Sequence, residues 1–156
     1  MLTEKDYCDY DTCVALKELG FNEPTLAYYH GFLPSKPLLY LVIDEDCMPE
    51  DGVNVFDLLS NSNKYKDSKN IDAPTLYEAQ KWLREDKKLI VLVGFDFCPI
   101  TSEIVYNWVI VVNGNTAKKS SYTYDCFEEA LSEGIKEAIK ILKEEFCTDE
   151  DFIRRF

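Results

Sequence analysis

Hydrophobic and polar positions alternate with two periods along this chain, and the switches between them outline its elements. From Asp11 to Leu19 the residues Ala15, Leu16 and Leu19 recur at helical spacing, which predicts a short helix with Asp11 as its N-cap. Gly20 then supplies the left-handed residue that closes a helix, and Phe21 is placed to fold back on Leu16 as in a Schellman ending. Leu26 to His30 and Leu38 to Ile43 have β character, and the stretch between them holds Gly31, Pro34 and Pro37, so a hairpin with a long connection is expected. Leu38 to Ile43 is apolar at nearly every position, as in a strand covered on both faces or lying beside a partner. Val53 to Leu59 fits a short strand and a helical turn equally. Ser60 to Asn70 lacks aliphatic side chains and is the place for a loop, or for a subdomain boundary within a single domain spanning 1–156.

The second half has stronger periodicity. Asp72-Ala73-Pro74-Thr75 opens a helix to about Glu85, with Asp72 or Thr75 as cap and Leu76, Ala79, Trp82 and Leu83 on one face. Lys88 to Phe97 alternates as a strand, its start expected to be buried on both faces and its end on one. Glu103 to Val112 is a second strand, with Ile104, Tyr106, Trp108, Ile110 and Val112 on one side. Asn113-Gly114-Asn115 supplies turn chemistry, and Lys119 to Tyr124 is expected to pair back antiparallel. The last helix is expected to start at Asp125, with apolar residues recurring from Phe127 to Phe146. The predicted fold is α+β: a three-stranded antiparallel sheet covered by two helices in the order helix-strand-strand-strand-helix, with an N-terminal helix and a β-hairpin added.

Three segments carry a resemblance. Thr12-Cys13-Val14-Ala15-Leu16-Lys17-Glu18-Leu19-Gly20-Phe21 with Tyr28-Tyr29 is the first. Ala73-Pro74-Thr75-Leu76-Tyr77-Glu78-Ala79-Gln80-Lys81-Trp82-Leu83-Arg84-Glu85 is the second, and Phe127 to Lys140 the third. Together they resemble a family of small uncharacterised proteins encoded by gut Bacteroides and by phages or prophages of that group. The resemblance implies a bacterial source and a cytoplasmic life, and it assigns no activity. The segment from about Leu33 to Asn70 is longer than the family pattern.

Composition narrows the functional classes. The 17 basic and 29 acidic side chains leave a net charge of −12, which repels phosphate backbones and anionic lipid. The order helix-strand-strand-strand-helix is similar to that of double-stranded RNA-binding domains, but those engage phosphates with basic residues at a helix start. Here the last helix opens with Asp125, Glu128 and Glu129, and Lys118-Lys119 is the sole basic pair in the strand connection. Nucleic acid is therefore not the expected partner. The N-terminus is acidic where an export signal is basic, and no run approaches the roughly 20 apolar residues of a membrane span, so a cytoplasmic protein is expected. Its six cysteines are accordingly read as thiols.

No residue is assigned to catalysis, metal or cofactor. Cys8 and Cys13 have the wrong spacing for a zinc knuckle and no second pair completes a tetrahedral site. His30 is the only histidine, and it fits a structural place at a strand end. The common nucleophile-elbow and phosphate-loop patterns are absent. Asp44, Glu45, Asp46, Glu50 and Asp51 crowd five carboxylates into eight positions without the spacing of a calcium loop, and are the candidate partner-binding residues for a basic surface. The expectation is thus a non-catalytic accessory or interaction protein with an acidic exterior and some exposed aromatics. The alternatives are an enzyme of unfamiliar type using a thiol or carboxylate near Cys98 or Asp96, a nucleic-acid mimic, and self-association through an edge strand such as Leu38 to Ile43.

Overall fold

The computed structural model describes residues 2–30, 39–41 and 70–154, and the side chains of 2–29 and 71–145 among them. The chain forms two compact units, Met1–Thr75 and Leu76–Phe156. The expected boundary at 60–70, except Asn70, and the undecided stretch at 53–59 lie outside the described residues.

In the first unit a single 3₁₀ turn, Glu4–Asp6, precedes helix α1, Tyr10–Glu18. Asp9 is the N-cap, not Asp11: its backbone is extended and its carboxylate accepts the Thr12 N–H at 2.9 Å. The buried face of the helix is Thr12, Cys13 and Leu16, with Ala15 and Leu19 only half-buried. The helix ends as a full Schellman motif. Gly20 has φ +97°, its N–H donates to the Lys17 carbonyl at 3.0 Å, and the Phe21 N–H donates to the Leu16 carbonyl at 2.9 Å.

Strands β1 (Ala27–His30) and β2 (Leu39–Leu41) form the expected antiparallel hairpin, with Tyr28 opposite Tyr40. A third strand, β3 (Asn70–Asp72), pairs antiparallel with the other side of β1, so the sheet order is β2-β1-β3. Asp72 is therefore a strand residue rather than a helix cap. Asn70-Ile71-Asp72 has little strand propensity of its own, and the free side of β1 supplies the hydrogen-bonding partner that overrides it. Pairing continues past the strand, since the Ala73 N–H donates to the Ala27 carbonyl at 2.9 Å and the Cys8 N–H to the Pro74 carbonyl at 3.0 Å. Helix α1 packs against β3. The Cys8 carbonyl accepts both the Tyr29 hydroxyl at 2.9 Å and the Cys13 thiol at 3.5 Å, which ties helix, lead-in and sheet together in the buried centre.

The second unit has the predicted order: α2 (Leu76–Asp86), β4 (Leu89–Phe97), β5 (Ile104–Val112), β6 (Asn115–Lys119) and α3 (Phe127–Arg154). The three strands make one antiparallel sheet in the order β4-β5-β6, with α2 packed on β4, and α3 packed on β4, β5 and α2. Leu76, Ala79, Trp82 and Leu83 are buried in α2, as their spacing predicts. Strand β6 starts earlier than expected. Asn113 and Gly114 have φ of 51° and 76°, which makes a two-residue turn and sets Asn115 directly opposite Val112. The ladder then slips between Ile110 and Val111, and Tyr124 rejoins it through an isolated bridge to Tyr106. Helix α3 starts at Phe127, two residues after Asp125.

The sheet and α3 meet closely at Gly134. A Cβ there would lie 2.7 Å from Val91 Cγ1 and 3.1 Å from Trp108 Cβ, so the absent side chain sets the distance between helix and sheet. Around this point Ala130, Leu131, Ile135, Ala138, Ile139 and Leu142 are buried against Leu89, Val91, Trp108 and Ile110. On the same side Lys118 of β6 reaches Glu137 of α3 at 2.6 Å, and Lys140 reaches it at 2.8 Å. These two ammonium groups hold the Glu137 carboxyl below the usual carboxylate range.

Two predictions follow from this packing. Alanine is the better helix former by about 0.5–1 kcal/mol, yet Gly134→Ala is expected to lose about 1–3 kcal/mol through overpacking, read as a lower thermal midpoint. A stabilised variant would contradict the close approach. Glu137→Gln is expected to cost about 0.5 kcal/mol near neutral pH. Because the folded pKa is depressed, the wild-type advantage is present above the ordinary carboxylate range and disappears as pH falls through the folded value; paired denaturant titrations across that range check it.

Candidate functional site

The partner-binding residues expected from sequence, Asp44, Glu45, Asp46, Glu50 and Asp51, lie outside the described residues. The same holds for the Cys47 thiol and for the His30 side chain, whose backbone is in β1 opposite Asn70. Among the described residues, no cluster of three or more His, Cys, Asp or Glu side chains could hold a metal ion. No helix among them is long and apolar enough to cross a membrane. Cys8, Cys13, Cys98 and Cys126 are thiols rather than disulfide halves.

The structure instead draws attention to the far end of the β4–β5 hairpin. Side chains alternate across a strand, so Leu89, Val91, Val93, Phe95 and Phe97 point to the helix-bearing face, with Val112, Ile110, Trp108, Tyr106 and Ile104 opposite them. Burial is complete at the Leu89 end. It fails towards the tip, where Phe95 is 67% exposed, Phe97 58% and Ile104 48%. Helix α3 begins only at Phe127, whose ring meets Tyr106 edge-on at 6.1 Å and is itself exposed. Beyond that ring no described helix covers the strands. Phe95 and Phe97 lie edge-to-face at 6.3 Å, a pair held by the pleat of one strand.

On the other face of the same strand Ile90 and Leu92 are exposed as well, Leu92 at 50%. The expectation that β4 starts buried on both faces is therefore corrected: its start is buried on one face and its end on neither. Alternation in the sequence reveals which residues share a face, but not how far a covering helix reaches along it.

Cys98 pairs with Glu103, its N–H donating to that carbonyl at 2.9 Å, and the Ser102 N–H closes the four-residue loop on the Cys98 carbonyl at 2.8 Å. Ser102 takes φ +58°, the left-handed residue this return requires. Ile100 stands at the loop tip, 91% exposed. Hydrogen bonds from the Thr101 side chain and from the backbone of Thr101 and Ile100 stabilise the Cys98 thiolate and lower its pKa. Cys13 is the opposite case, since burial, with the nearby Cys8 and Asp9, pushes its thiol far up. Asp96 turns its carboxylate onto the Phe97 N–H at 2.8 Å.

No family model matches the chain, and neither a curated protein nor a solved structure matches it. The hairpin end is accordingly judged on its chemistry. A row of apolar and aromatic side chains on a hydrogen-bonded ladder is rigid and dehydrates easily, which suits it to binding another apolar surface.

The two thiols provide a direct check of the tip geometry. In the folded protein iodoacetamide is expected to modify Cys98 faster than Cys13 by about tenfold or more, with a pH midpoint below that of an ordinary thiol. Cys13 should react only on unfolding. Peptide mapping after timed quenching reads both, and equal rates would contradict the two environments.

Proposed function

We propose that the protein is a non-catalytic accessory module of the phage or prophage kind that its sequence resembles, working in the bacterial cytoplasm by holding a protein partner at the bare end of the β4–β5 hairpin. The observation that supports this reading most is the exposure of Phe95 and Phe97, side by side on one face of a paired strand. Aromatic residues are among those that dominate interface energies, and a side chain already fixed by a ladder loses little freedom on binding. The net charge of −12 adds selection against nucleic acid and anionic lipid. In that field the run Asp44, Glu45, Asp46, Glu50 and Asp51 is one of two stretches of the sequence with five carboxylates in eight positions.

A second reading, an enzyme using the Cys98 thiol, draws on the hydrogen bonds that favour its thiolate. A covalent adduct on Cys98 formed with a host metabolite would favour it.

The interaction reading is tested by affinity capture from the native host, whose own untagged copy of the chain is present. The wild type is expected to retain a partner at moderate salt, and a Phe95→Ser, Phe97→Ser double variant to lose at least roughly tenfold of it. Because both rings are exposed, the double variant should melt within a few degrees of the wild type. A wild type that retains nothing, or capture indifferent to the two rings, contradicts the reading.

A further inference from the structure

Among the described residues strand β4 is an edge of its sheet, and only part of that edge is blocked. Even-numbered residues of β4 point their backbone groups at β5, as the Cys98 N–H bonded to the Glu103 carbonyl shows. Odd-numbered residues point outwards. At Val91 the outward carbonyl is occupied by the Gln80 amide of α2, which donates to it at 2.7 Å. At the other end the strand runs into Pro99, which has no N–H to offer. Between these two stops lie Leu92 to Cys98, with the outward backbone groups of Val93, Phe95 and Phe97. The window is symmetric about Phe95: Val91 is four residues before it and Pro99 four after.

We infer, on the reading that the hairpin end is an interaction surface, that the partner is a second copy of this chain, added antiparallel to β4 about a two-fold axis at Phe95. In that register Phe95 faces Phe95 of the second copy and Phe97 faces its Val93, so all the outward backbone groups in the window find partners. The stop at Val91 meets the stop at Pro99, and within the window only the Asp96 carboxylate has to leave a backbone group, the Phe97 N–H. All the aromatic side chains of the joint fall on one face, continuous with Ile104 and Tyr106.

Charge and size agree with a second copy. Asp96, the one charged residue in the window, falls opposite Gly94 rather than opposite another carboxylate. The pairing replaces the exposed Asp96 carboxylate on the Phe97 N–H with a backbone carbonyl of the second copy and returns that carboxylate to solvent. Leu92, Phe95, Phe97, Ile100 and Ile104 together expose on the order of 500 Å² of apolar side chain, taking roughly 150–200 Å² for a whole one. A standard interface buries about 800 Å² per partner, somewhat over half of it apolar.

Position-specific cross-linking of the full chain in a Cys98→Ser background tests the register. Two residues directly opposite in an antiparallel ladder are within disulfide reach. Under mild oxidation Phe95→Cys should link to itself and give a species of twice 18.1 kDa. Val93→Cys and Phe97→Cys should each fail alone and link when mixed. Sedimentation of the wild type should show a dimer that tightens several-fold as salt rises, because screening weakens the repulsion between two chains of net −12; a basic partner would behave oppositely. Phe95→Lys should stay monomeric while keeping its fold by circular dichroism. Equal cross-linking at all three positions, or a wild-type monomer at every concentration and salt, overturns the pairing. If the chain is monomeric yet capture from the host still depends on Phe95 and Phe97, the partner is another protein and the interaction reading stands without this inference. If capture fails too, both fall.

Discussion

The second unit depends on one close approach: α3 rests on the sheet where Gly134 offers no side chain between the helix and the Val91 and Trp108 side chains. A bulkier residue at that position would lift the helix off the strands and thin the contacts of Ala130, Leu131, Ile135 and Ala138 on either side. The same geometry fixes how far the cover extends. A helix that centres its contact over Val91 and Trp108 and starts at Phe127 cannot also shield Phe95, Phe97 and Ile104. Those side chains have the same character as the buried ones and differ only in lying past the helix start.

That consequence links packing to function. Ordinary surfaces scatter single apolar residues, whereas here they are contiguous, aromatic and held on a ladder whose outer edge is open for a few residues only. Gln80 and Asp96 occupy outward backbone groups at Val91 and Phe97, which limits indiscriminate strand addition while leaving a short, defined window. In the first unit the polar groups turn inwards instead, with Tyr29, Cys13 and Cys8 bonded around one carbonyl in the core. Burial there raises the Tyr29 and Cys13 pKa values and gives those groups a packing role.

Much of the fold was legible in the residues because local patterns and tertiary packing agree. The Leu76, Ala79, Leu83 face, the Asn113-Gly114 turn, the Gly20-Phe21 ending and the Ala130 to Leu142 stripe each carry their own physical signal. The departures have a common cause, since each was decided by a neighbour distant in sequence or by competition between adjacent residues. Asn70-Ile71-Asp72 became a strand because β1 had a free side, and Asp9 displaced Asp11 because both could cap and only one backbone was extended. The hairpin end was invisible for a related reason. Phe95 and Phe97 alternate like Leu89 and Val91, and only the position of Phe127 in space separates exposed from covered. Cys98 stood in the sequence only as an example of a usable thiol, while the cause of its lowered pKa, the hydrogen bonds from Thr101 and Ile100, requires the loop conformation.

The claim on which the functional account rests is that α3 leaves the tip of β4 and β5 in solvent. Paramagnetic relaxation by a soluble gadolinium chelate on dilute, side-chain-assigned protein measures this directly. The account predicts strong broadening at the Phe95, Phe97 and Ile100 side chains and none at Val91, Trp108 and Ile110. Protection of Phe95 and Phe97 equal to that of Trp108 would contradict it.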